Sequence, residues 1–254
     1  MRAVSFCVPE MYWNELINKS REIPKLHRDD IHVWSVSSAI DSERLSYVGR
    51  VLSPDEWHRA HRFHFERDYR SFVVRRSALR ELLARYCSRE PSAIKFSSGP
   101  NGKPALCDTE SLIRFSVSHS GERILFGFSY RYEIGVDIEL VRRDLEFGDL
   151  SKGFFSPTEH AALIAAPKVE RSNLFYEYWT CKEACLKADG RGLSGHLEKF
   201  TIQPASRQKA WREIVDHECV GLAPDFRIRI IIPDTGYVGA IARQGESWGI
   251  EFFS

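Results

Sequence analysis

The tetrapeptides SPDE at residues 53–56 and SPTE at residues 156–159 decide the fold. Serine is a good helix N-cap, proline suits the first helical position, and glutamate three residues after the cap completes a capping box. A longer amphipathic pattern follows each tetrapeptide, at about 68–87 and at about 171–188, and Phe72 and Phe175 share the offset of the two caps. We therefore predict two similar halves around a cleft, although a chance recurrence of a good helix start would look the same.

The rest of the chain carries strand patterns, in which apolar and β-branched residues alternate with polar ones. The predicted strands cover residues 31–36, 113–117, 124–129, 134–140, 226–232, 237–243 and 248–253. Together with the helices they predict a mixed α/β protein of the α+β class. We expect a pseudo-twofold arrangement, with each half a small antiparallel sheet packed with a long helix.

The composition excludes several classes of protein. The chain of 254 residues is 43% hydrophobic and 28% charged, which is typical of a globular protein. A net charge of +1 disfavours nucleic acid as a partner, so an anionic ligand must meet local clusters of Arg and Lys. No Cys-x-x-Cys pair, apolar leader or long apolar run is present. We expect no structural zinc, no membrane segment, reduced thiols and a cytoplasmic location.

The segment GVDIE at residues 135–139 has two acids on one face of a predicted strand. Residues two apart in a strand point the same way, so Asp137 and Glu139 stand side by side while Val136 and Ile138 face the core. Adjacent carboxylates repel unless a cation lies between them, and hard oxygen ligands suit Mg²⁺. The alternative is a solvated edge strand with acids on its wet face.

The segment WTCKEACLK at residues 179–187 has a helical pattern. Trp179, Glu183 and Lys187 follow each other at steps of four and therefore share one helix face. Glu183 and Lys187 also stand in the favourable order for an ion pair, so the alternative is a surface salt bridge beside a packed tryptophan. A glycine-rich turn at residues 190–193 would place this end of the helix near a cleft.

Two further features suit phosphate groups. The segment FSVSHSG at residues 115–121 is a strand that runs into a small polar loop, where His119 is either a ligand contact or an ordinary surface residue. Basic residues also concentrate in the first half, and a few of them facing a cleft would hold an anionic ligand. They are Arg59, Arg62, Arg67, Arg70, Arg75, Arg76, Arg80 and Lys103.

In this order and spacing the motifs resemble those of the 4′-phosphopantetheinyl transferases, in particular the larger Sfp-type branch. The resemblance rests on GKP at 102–104, FSVSHS at 115–120, GVDIE at 135–139 and WTCKEACLK at 179–187. It covers about residues 53–193. One departure is Ser116, where the family often has asparagine, and this difference puts a side-chain contact of that loop in question.

The resemblance implies that each half echoes the small holo-acyl-carrier-protein synthases and that coenzyme A binds between the halves. We expect an N-terminal half of residues 1–130 with coenzyme A-binding basic residues, and a C-terminal half of residues 131–254 with the metal and catalytic residues. The implied ligands of Mg²⁺, or of Mn²⁺ in its place, are Asp137, Glu139 and Glu183. The implied contacts of coenzyme A are Arg59 near the 3′-phosphate, Lys103, Ser118, His119, Asp137, and Lys187 at the pyrophosphate.

The predicted reaction transfers phosphopantetheine from coenzyme A to a serine of an apo acyl or peptidyl carrier protein and releases adenosine 3′,5′-bisphosphate. Glu183, as the base, and Lys187 are the predicted catalytic residues. We expect a monomer that meets the carrier through residues 141–155, with Arg142 and Arg143 facing the partner and Phe154 and Phe155 packed in the core. The alternatives are another Mg²⁺-dependent phosphoryl enzyme and a non-catalytic module that binds coenzyme A or the carrier.

Overall fold

The computed structural model describes residues 25–99, 102–108, 110–144, 147–190, 197–203, 211–215, 226–245 and 248–253. Predicted features at 100–101, 145–146 and 191–193 lie outside these ranges. The α-helices are α1 (Ser42–Val48), α2 (Pro54–Ala60), α3 (Glu66–Cys87), α4 (Gly148–Phe154), α5 (Pro157–Ala165) and α6 (Lys168–Asp189). The strands are β1 (Asp30–Ser37), β2 (Phe96–Ser98), β3 (Pro104–Leu106), β4 (Ile113–Ser120), β5 (Arg123–Tyr130), β6 (Ile134–Leu140), β7 (Thr201–Ile202), β8 (Ile214–Val215), β9 (Phe226–Ile231), β10 (Tyr237–Gln244) and β11 (Gly249–Phe253).

Both predicted capping boxes form. The backbone N–H of Glu56 donates to Ser53 Oγ, and Glu56 accepts from the backbone N–H of Ser53 at the start of α2. Ser156 and Glu159 repeat this exchange at the start of α5. The long helices α3 and α6, which follow the two capped helices, are each 22 residues long. The repeated sequence signal therefore corresponds to a repeated structural unit.

The two halves share one topology. In the first, β1 precedes the helices and the hairpin β4–β5 follows them, and the sheet order is β1-β5-β4. In the second, β6, the helices and the hairpin β9–β10 come in the same sequence, and the sheet order is β6-β10-β9. All these pairings are antiparallel. The α+β prediction with two similar halves is confirmed.

After the second sheet the chain returns to the first, where it forms strand β11. β11 pairs in parallel with β1 and so becomes the outer strand of the first sheet. The Phe253 ring stacks on the Trp34 ring with 4.4 Å between centroids. The sequence predicts this strand but not its partner, because its apolar pattern suits either sheet.

A glycine positions the second long helix. Helix α6 packs directly on β6, and a Cβ at Gly135 would lie 1.8 Å from the carbonyl oxygen of Ala184. No other residue permits this approach of helix to strand. The close packing brings the polar face of α6 beside the acids of β6. None of the helices in the described ranges has the length and apolar character needed to cross a membrane.

Candidate active site

A row of serine side chains joins the edges of the two sheets. Ser116, Ser118 and Ser120 alternate along β4 and therefore point to one side, toward β6. Ser116 Oγ accepts from the N–H of Val136 at 3.1 Å, and Ser120 Oγ accepts from the N–H of Leu140 at 3.0 Å. These bonds replace the backbone ladder that would join two paired strands. The serine that departs from the family pattern, Ser116, thus makes a side-chain contact across the seam.

The acids of β6 lie at this seam. Ser118 Oγ donates to Asp137 Oδ1 at 2.7 Å, and Ser120 Oγ donates to Glu139 Oε2 at 2.7 Å. Asp137 is 3% exposed. Its second oxygen, Oδ2, is buried without a hydrogen-bond partner among the described residues. The site therefore contains a carboxylate that its surroundings only half satisfy.

Helix α6 adds a third acid. Glu183 is buried, and its Oε1 has no hydrogen-bond partner within the described part of the chain. Burial and, after it, the charge of Asp137 raise the pKa of Glu183 to about 7, while Lys187 opposes the rise. Burial also raises the pKa of Glu139. Three carboxyl groups from two elements thus converge where negative charge is poorly stabilised.

Lys187 supplies positive charge to this cluster. Its Nζ lies 2.6 Å from Asp137 Oδ1 and 2.9 Å from Ser118 Oγ. Within the described residues Lys187 pairs with Asp137 and not with Glu183, so the alternative of a surface Glu183–Lys187 salt bridge is wrong. The lysine reaches across to β6 because helix and strand pack so closely at Gly135.

The donor chemistry suits a hard divalent cation. Among the described residues no three His, Cys, Asp or Glu side chains already form a metal-binding group, and the Lys187 ammonium lies beside Asp137. Asp137 Oδ2 and Glu183 Oε1 nevertheless remain unpaired and buried. Carboxylate oxygens of this kind are the ligands that Mg²⁺ takes together with phosphate oxygens and water.

Trp179 connects the acids to an exposed aromatic ring. Its indole opposes the burial-driven rise of the Glu139 pKa, and its ring meets the Phe154 ring edge-on with 5.3 Å between centroids. Phe154 is 40% exposed, whereas Phe155 is buried. The expected core packing is therefore confirmed for Phe155 and wrong for Phe154. The end of α4 therefore presents an exposed aromatic ring next to Trp179.

His119 lies on the other side of β4 from Ser118. Its Nε2 lies 2.6 Å from Nη1 of Arg75 on α3. Burial, followed by the charges of Arg75 and Lys187, lowers the pKa of His119 to about 4. The ring is therefore neutral at pH 7 and Nε2 accepts from the guanidinium. Arg59 is exposed, with its guanidinium 5.6 Å from the centroid of the Phe72 ring.

Lys103 lies in a cavity that also includes Lys187. This cavity has a volume of about 230 Å³ and is bounded by β3, β4 and the end of α6. Lys103 Nζ donates to Glu133 Oε2 at 2.6 Å and to the carbonyl oxygen of Ile134 at 3.2 Å. A larger cavity of about 560 Å³ shares Lys103 with it but is not lined by Asp137, Glu139 or Glu183. These acids do not line the smaller cavity either, but Lys187 lines it and pairs with Asp137, so this cavity lies next to the acids.

Sequence reasoning missed the role of the first lysine of the helix motif. Lys182 is fully buried, and its Nζ donates to Glu159 Oε2 at 2.8 Å and to the carbonyl oxygens of Leu197 and Phe200. Glu159 Oε1 also accepts from the N–H of Ile202 at 2.8 Å. This buried ion pair ties the capped helix α5 to α6 and to the chain after it. Lys182 therefore has a structural role in the second half, and its ammonium does not point toward the acids.

Comparison with known proteins assigns the family. Residues 37–127 match the family model described as the N-terminal part of 4′-phosphopantetheinyl transferase, and residues 133–230 match that of the 4′-phosphopantetheinyl transferase superfamily. The chain is 34% identical to the 4′-phosphopantetheinyl transferase HetI of Nostoc sp. over 89% of its own length and 92% of that protein. It is 33% identical to the transferase Sfp of Bacillus subtilis over 60% of its length and 66% of Sfp. The chain belongs to the 4′-phosphopantetheinyl transferase superfamily, and the predicted resemblance is confirmed.

Proposed function

We propose that this protein transfers the 4′-phosphopantetheine group of coenzyme A to a serine of an apo acyl or peptidyl carrier protein. The observation that carries the proposal is the convergence of Asp137, Glu139, Glu183 and Lys187 at the seam between the halves, beside the cavity that contains Lys103. Lys187 supplies the positive charge that a diphosphate needs. One of the carboxylates can accept the proton of the attacking serine.

The carrier serine oxygen attacks the phosphorus nearer the pantetheine, and the bond from that phosphorus to the bridging oxygen breaks. Adenosine 3′,5′-bisphosphate leaves with the bond electrons. Glu183 takes the serine proton, and in the metal-free protein burial raises its pKa to about 7. In this arrangement the same carboxyl group also lies within the proposed metal site.

Lys187 neutralises charge on the diphosphate. Its ammonium already lies 2.6 Å from Asp137 and lines the cavity shared with Lys103, so a short movement exchanges one anionic partner for another. A bound Mg²⁺, or Mn²⁺ in its place, would be held by Asp137, Glu139 and Glu183 and would supply further positive charge to the phosphate oxygens. Phosphoryl transfer depends mainly on such positioning and charge.

We propose four further residues as contacts of coenzyme A. Arg59, Lys103, Ser118 and His119 are the proposed binding residues, and Lys103 and Ser118 support this role through their direct proximity to Lys187. We also propose the division into residues 1–130 and 131–254. The separate matches of two family models support it.

We further propose that the protein is monomeric and cytoplasmic. The described cysteines Cys87, Cys107, Cys181 and Cys185 are free thiols, which supports a reducing compartment.

The test is incubation of the protein with coenzyme A, Mg²⁺ and an apo carrier protein, followed by mass spectrometry of the carrier. The carrier should gain the mass of one phosphopantetheine group, and the gain should require its acceptor serine. Coenzyme A binding without any modification of a panel of carriers would instead indicate a non-catalytic binding module. Reactions with EDTA, and with Mn²⁺ replacing Mg²⁺, test the metal.

A further inference from the structure

The serines of β4 match the acids of β6 in register. Ser118 bonds to Asp137 and Ser120 bonds to Glu139, and in both pairs the two residues are 19 apart along the chain. The two strands therefore run side by side in the same direction, and the period of two on β4 meets the period of two on β6. A row of hydroxyls on the first half thus faces a row of carboxylates on the second.

Ser120 makes a different pair of bonds from Ser118. Ser118 Oγ accepts from the Lys187 ammonium, whereas Ser120 Oγ accepts from the backbone N–H of Leu140 at 3.0 Å. Ser120 Oγ also donates to Glu139 Oε2 at 2.7 Å. A hydroxyl has one proton and an ionised carboxylate can only accept, so these bonds fix the direction of the Ser120 proton. The bond therefore holds Glu139 by one defined oxygen.

The turn that follows Ser120 is itself held in place. Gly121 has a φ of 54°, which favours glycine, and a Cβ at this position would lie 2.7 Å from the hydroxyl oxygen of Tyr237 on β10. The same hydroxyl accepts from the N–H of Glu122 at 3.3 Å. The contact between the turn and the second sheet therefore fixes where the Ser120 hydroxyl lies relative to β6.

Glu139 depends on such support more than Asp137 does. Glutamate has one more rotatable bond than aspartate, and Glu139 is only half-buried whereas Asp137 is buried. The two carboxylates share one face of β6, so their charges repel each other. A hydrogen bond that orients a metal-ligating group, without touching the metal, commonly changes metal affinity by about 10-fold to 100-fold.

We infer that Ser120 is a positioning residue that orients the Glu139 carboxylate for a divalent cation, so that a hydroxyl of the first half sets the metal affinity of acids in the second. This inference rests on the proposed function, because it takes Glu139 to be one of the ligands. Ser120 acts through Glu139, since its single proton is already donated to that carboxylate and is not available to a phosphate of coenzyme A.

The test measures Mn²⁺ binding by electron paramagnetic resonance, with coenzyme A present and without a carrier, so that no turnover occurs. Ser120→Ala should weaken Mn²⁺ binding about tenfold. Ser120→Thr keeps the hydroxyl and should bind Mn²⁺ like the wild type. Ser116→Ala is the matched control, because it loses a bond of the same kind, to the N–H of Val136, but no bond to a carboxylate. It should also keep the wild-type affinity.

The transfer assay provides a second readout. Ser120→Ala should raise the Mg²⁺ concentration that gives half of the maximal rate about tenfold, and it should change the rate at saturating Mg²⁺ much less. A loss of stability alone would not produce this division between the two quantities.

The outcomes separate this inference from the proposed function. Weaker Mn²⁺ binding in Ser120→Ala, with normal binding in Ser120→Thr and Ser116→Ala, supports the role of Ser120. Unchanged binding in Ser120→Ala overturns that role, as does an equal loss in Ser116→Ala or in Ser120→Thr. A wild type that binds no Mn²⁺ also overturns it, and the proposed function fails as well only if that wild type modifies no carrier.

Thermal unfolding identifies a Ser120→Ala protein that fails to fold. Ser120→Cys, which keeps the size of the side chain but donates only weakly, then takes its place in the same comparison.

Discussion

Lys187 Nζ of helix α6 lies 2.6 Å from Asp137 Oδ1 of strand β6, and Ser118 of strand β4 bonds to both. One ion pair thus joins the helix and strand of the second half to the edge strand of the first. Its components are also the predicted metal ligand and the predicted pyrophosphate contact. One contact between the halves is therefore one that the proposed reaction must rearrange.

The first prediction concerns Asp137. Asp137→Ala should lower the rate of carrier modification by about a hundredfold or more, because it removes a charged group at the reacting phosphates. The rate should be measured by mass spectrometry across a titration of Mg²⁺, with circular dichroism to confirm the fold. Ser120→Ala, which removes a bond to Glu139 but no charge, is the milder control. Full turnover by Asp137→Ala at limiting Mg²⁺ would show that the acids are structural.

The second prediction concerns the grip on coenzyme A. Lys103→Ala and Arg59→Ala should each weaken coenzyme A binding in calorimetry, and a variant that loses a contact to the 3′-phosphate should also discriminate less against dephospho-coenzyme A. Glu133→Gln removes the present partner of Lys103 and should not weaken binding, since it frees the ammonium for phosphate. Unchanged affinity for both ligands in both alanine variants is the result that contradicts this assignment.

The third prediction concerns the carrier surface. Arg142 and Arg143 are exposed, and the nearby exposed Phe154 contacts Trp179 beside the acids. A carrier protein is typically acidic, so Arg142→Glu combined with Arg143→Glu should raise the Michaelis constant for the carrier. The rise should be larger at low salt, because rim charges act mainly on the association rate. The Michaelis constant for coenzyme A should stay nearly constant.

The control for this surface uses the same change of charge elsewhere. Arg50 and Arg67 are exposed in the first half, and their double replacement by Glu should leave the carrier constant near the wild-type value. Residues 141–155 are not the docking surface if the Arg142 and Arg143 variant has a wild-type constant at low salt.

The fourth prediction separates the two lysines of the helix motif. Lys182→Met should lower the free energy of unfolding by about 3 kcal/mol or more, because it leaves the buried carboxylate of Glu159 unpaired. Adding Glu159→Gln should recover part of this loss, since both charges are then absent. Lys187→Met should lower the transfer rate much more than it lowers stability. Urea unfolding measured beside the rate distinguishes these outcomes.

The fifth prediction concerns pH. Burial lowers the pKa of His32 to about 4, against 6.5 for a free histidine. As pH falls, His32 therefore binds a proton in the unfolded chain before it does so in the folded protein. The free energy of unfolding should then decrease between about pH 6.5 and pH 4, by up to about 1.4 kcal/mol per pH unit for one proton. Tyr86, Glu251, Asp30 and His27 are the titratable groups that act on His32.

The measurement is the free energy of unfolding of wild type and His32→Gln at several pH values in this window. The variant should show a shallower decline, and the difference between the two curves isolates His32 from His119 and the carboxyl groups. Parallel curves would contradict the prediction.

Local patterns were sufficient to predict most elements of the fold. The Ser53 and Ser156 caps, the two long helices and the main strands depend on neighbouring residues, so the sequence alone predicts them. The strand alternation likewise predicts that Asp137 and Glu139 share a face. The helix beginnings were less accurate, since α6 starts at Lys168 and not near Arg171.

The missed features depend on contacts between distant segments. Lys182 and Lys187 are chemically identical in the motif, and only the chain at Leu197 and Phe200 makes the first of them a buried partner of Glu159. The sequence also places Arg75 in a basic cluster but does not predict its contact with His119, which depends on the position of β4. The pairing of Lys187 with Asp137 also depends on the close packing at Gly135.

The pairing of β11 with β1 has a consequence for how the protein matures. During synthesis the ribosome completes β1, β4 and β5 more than a hundred residues before it reaches residues 249–253. Until then the outer edge of β1 is unpaired, and an unpaired strand edge invites association with other chains. The first sheet is thus completed by a strand made much later, so we expect its edge to be open to association with other chains during synthesis. A short deletion after residue 248 should therefore reduce the yield of unaggregated protein more than the few contacts removed would suggest.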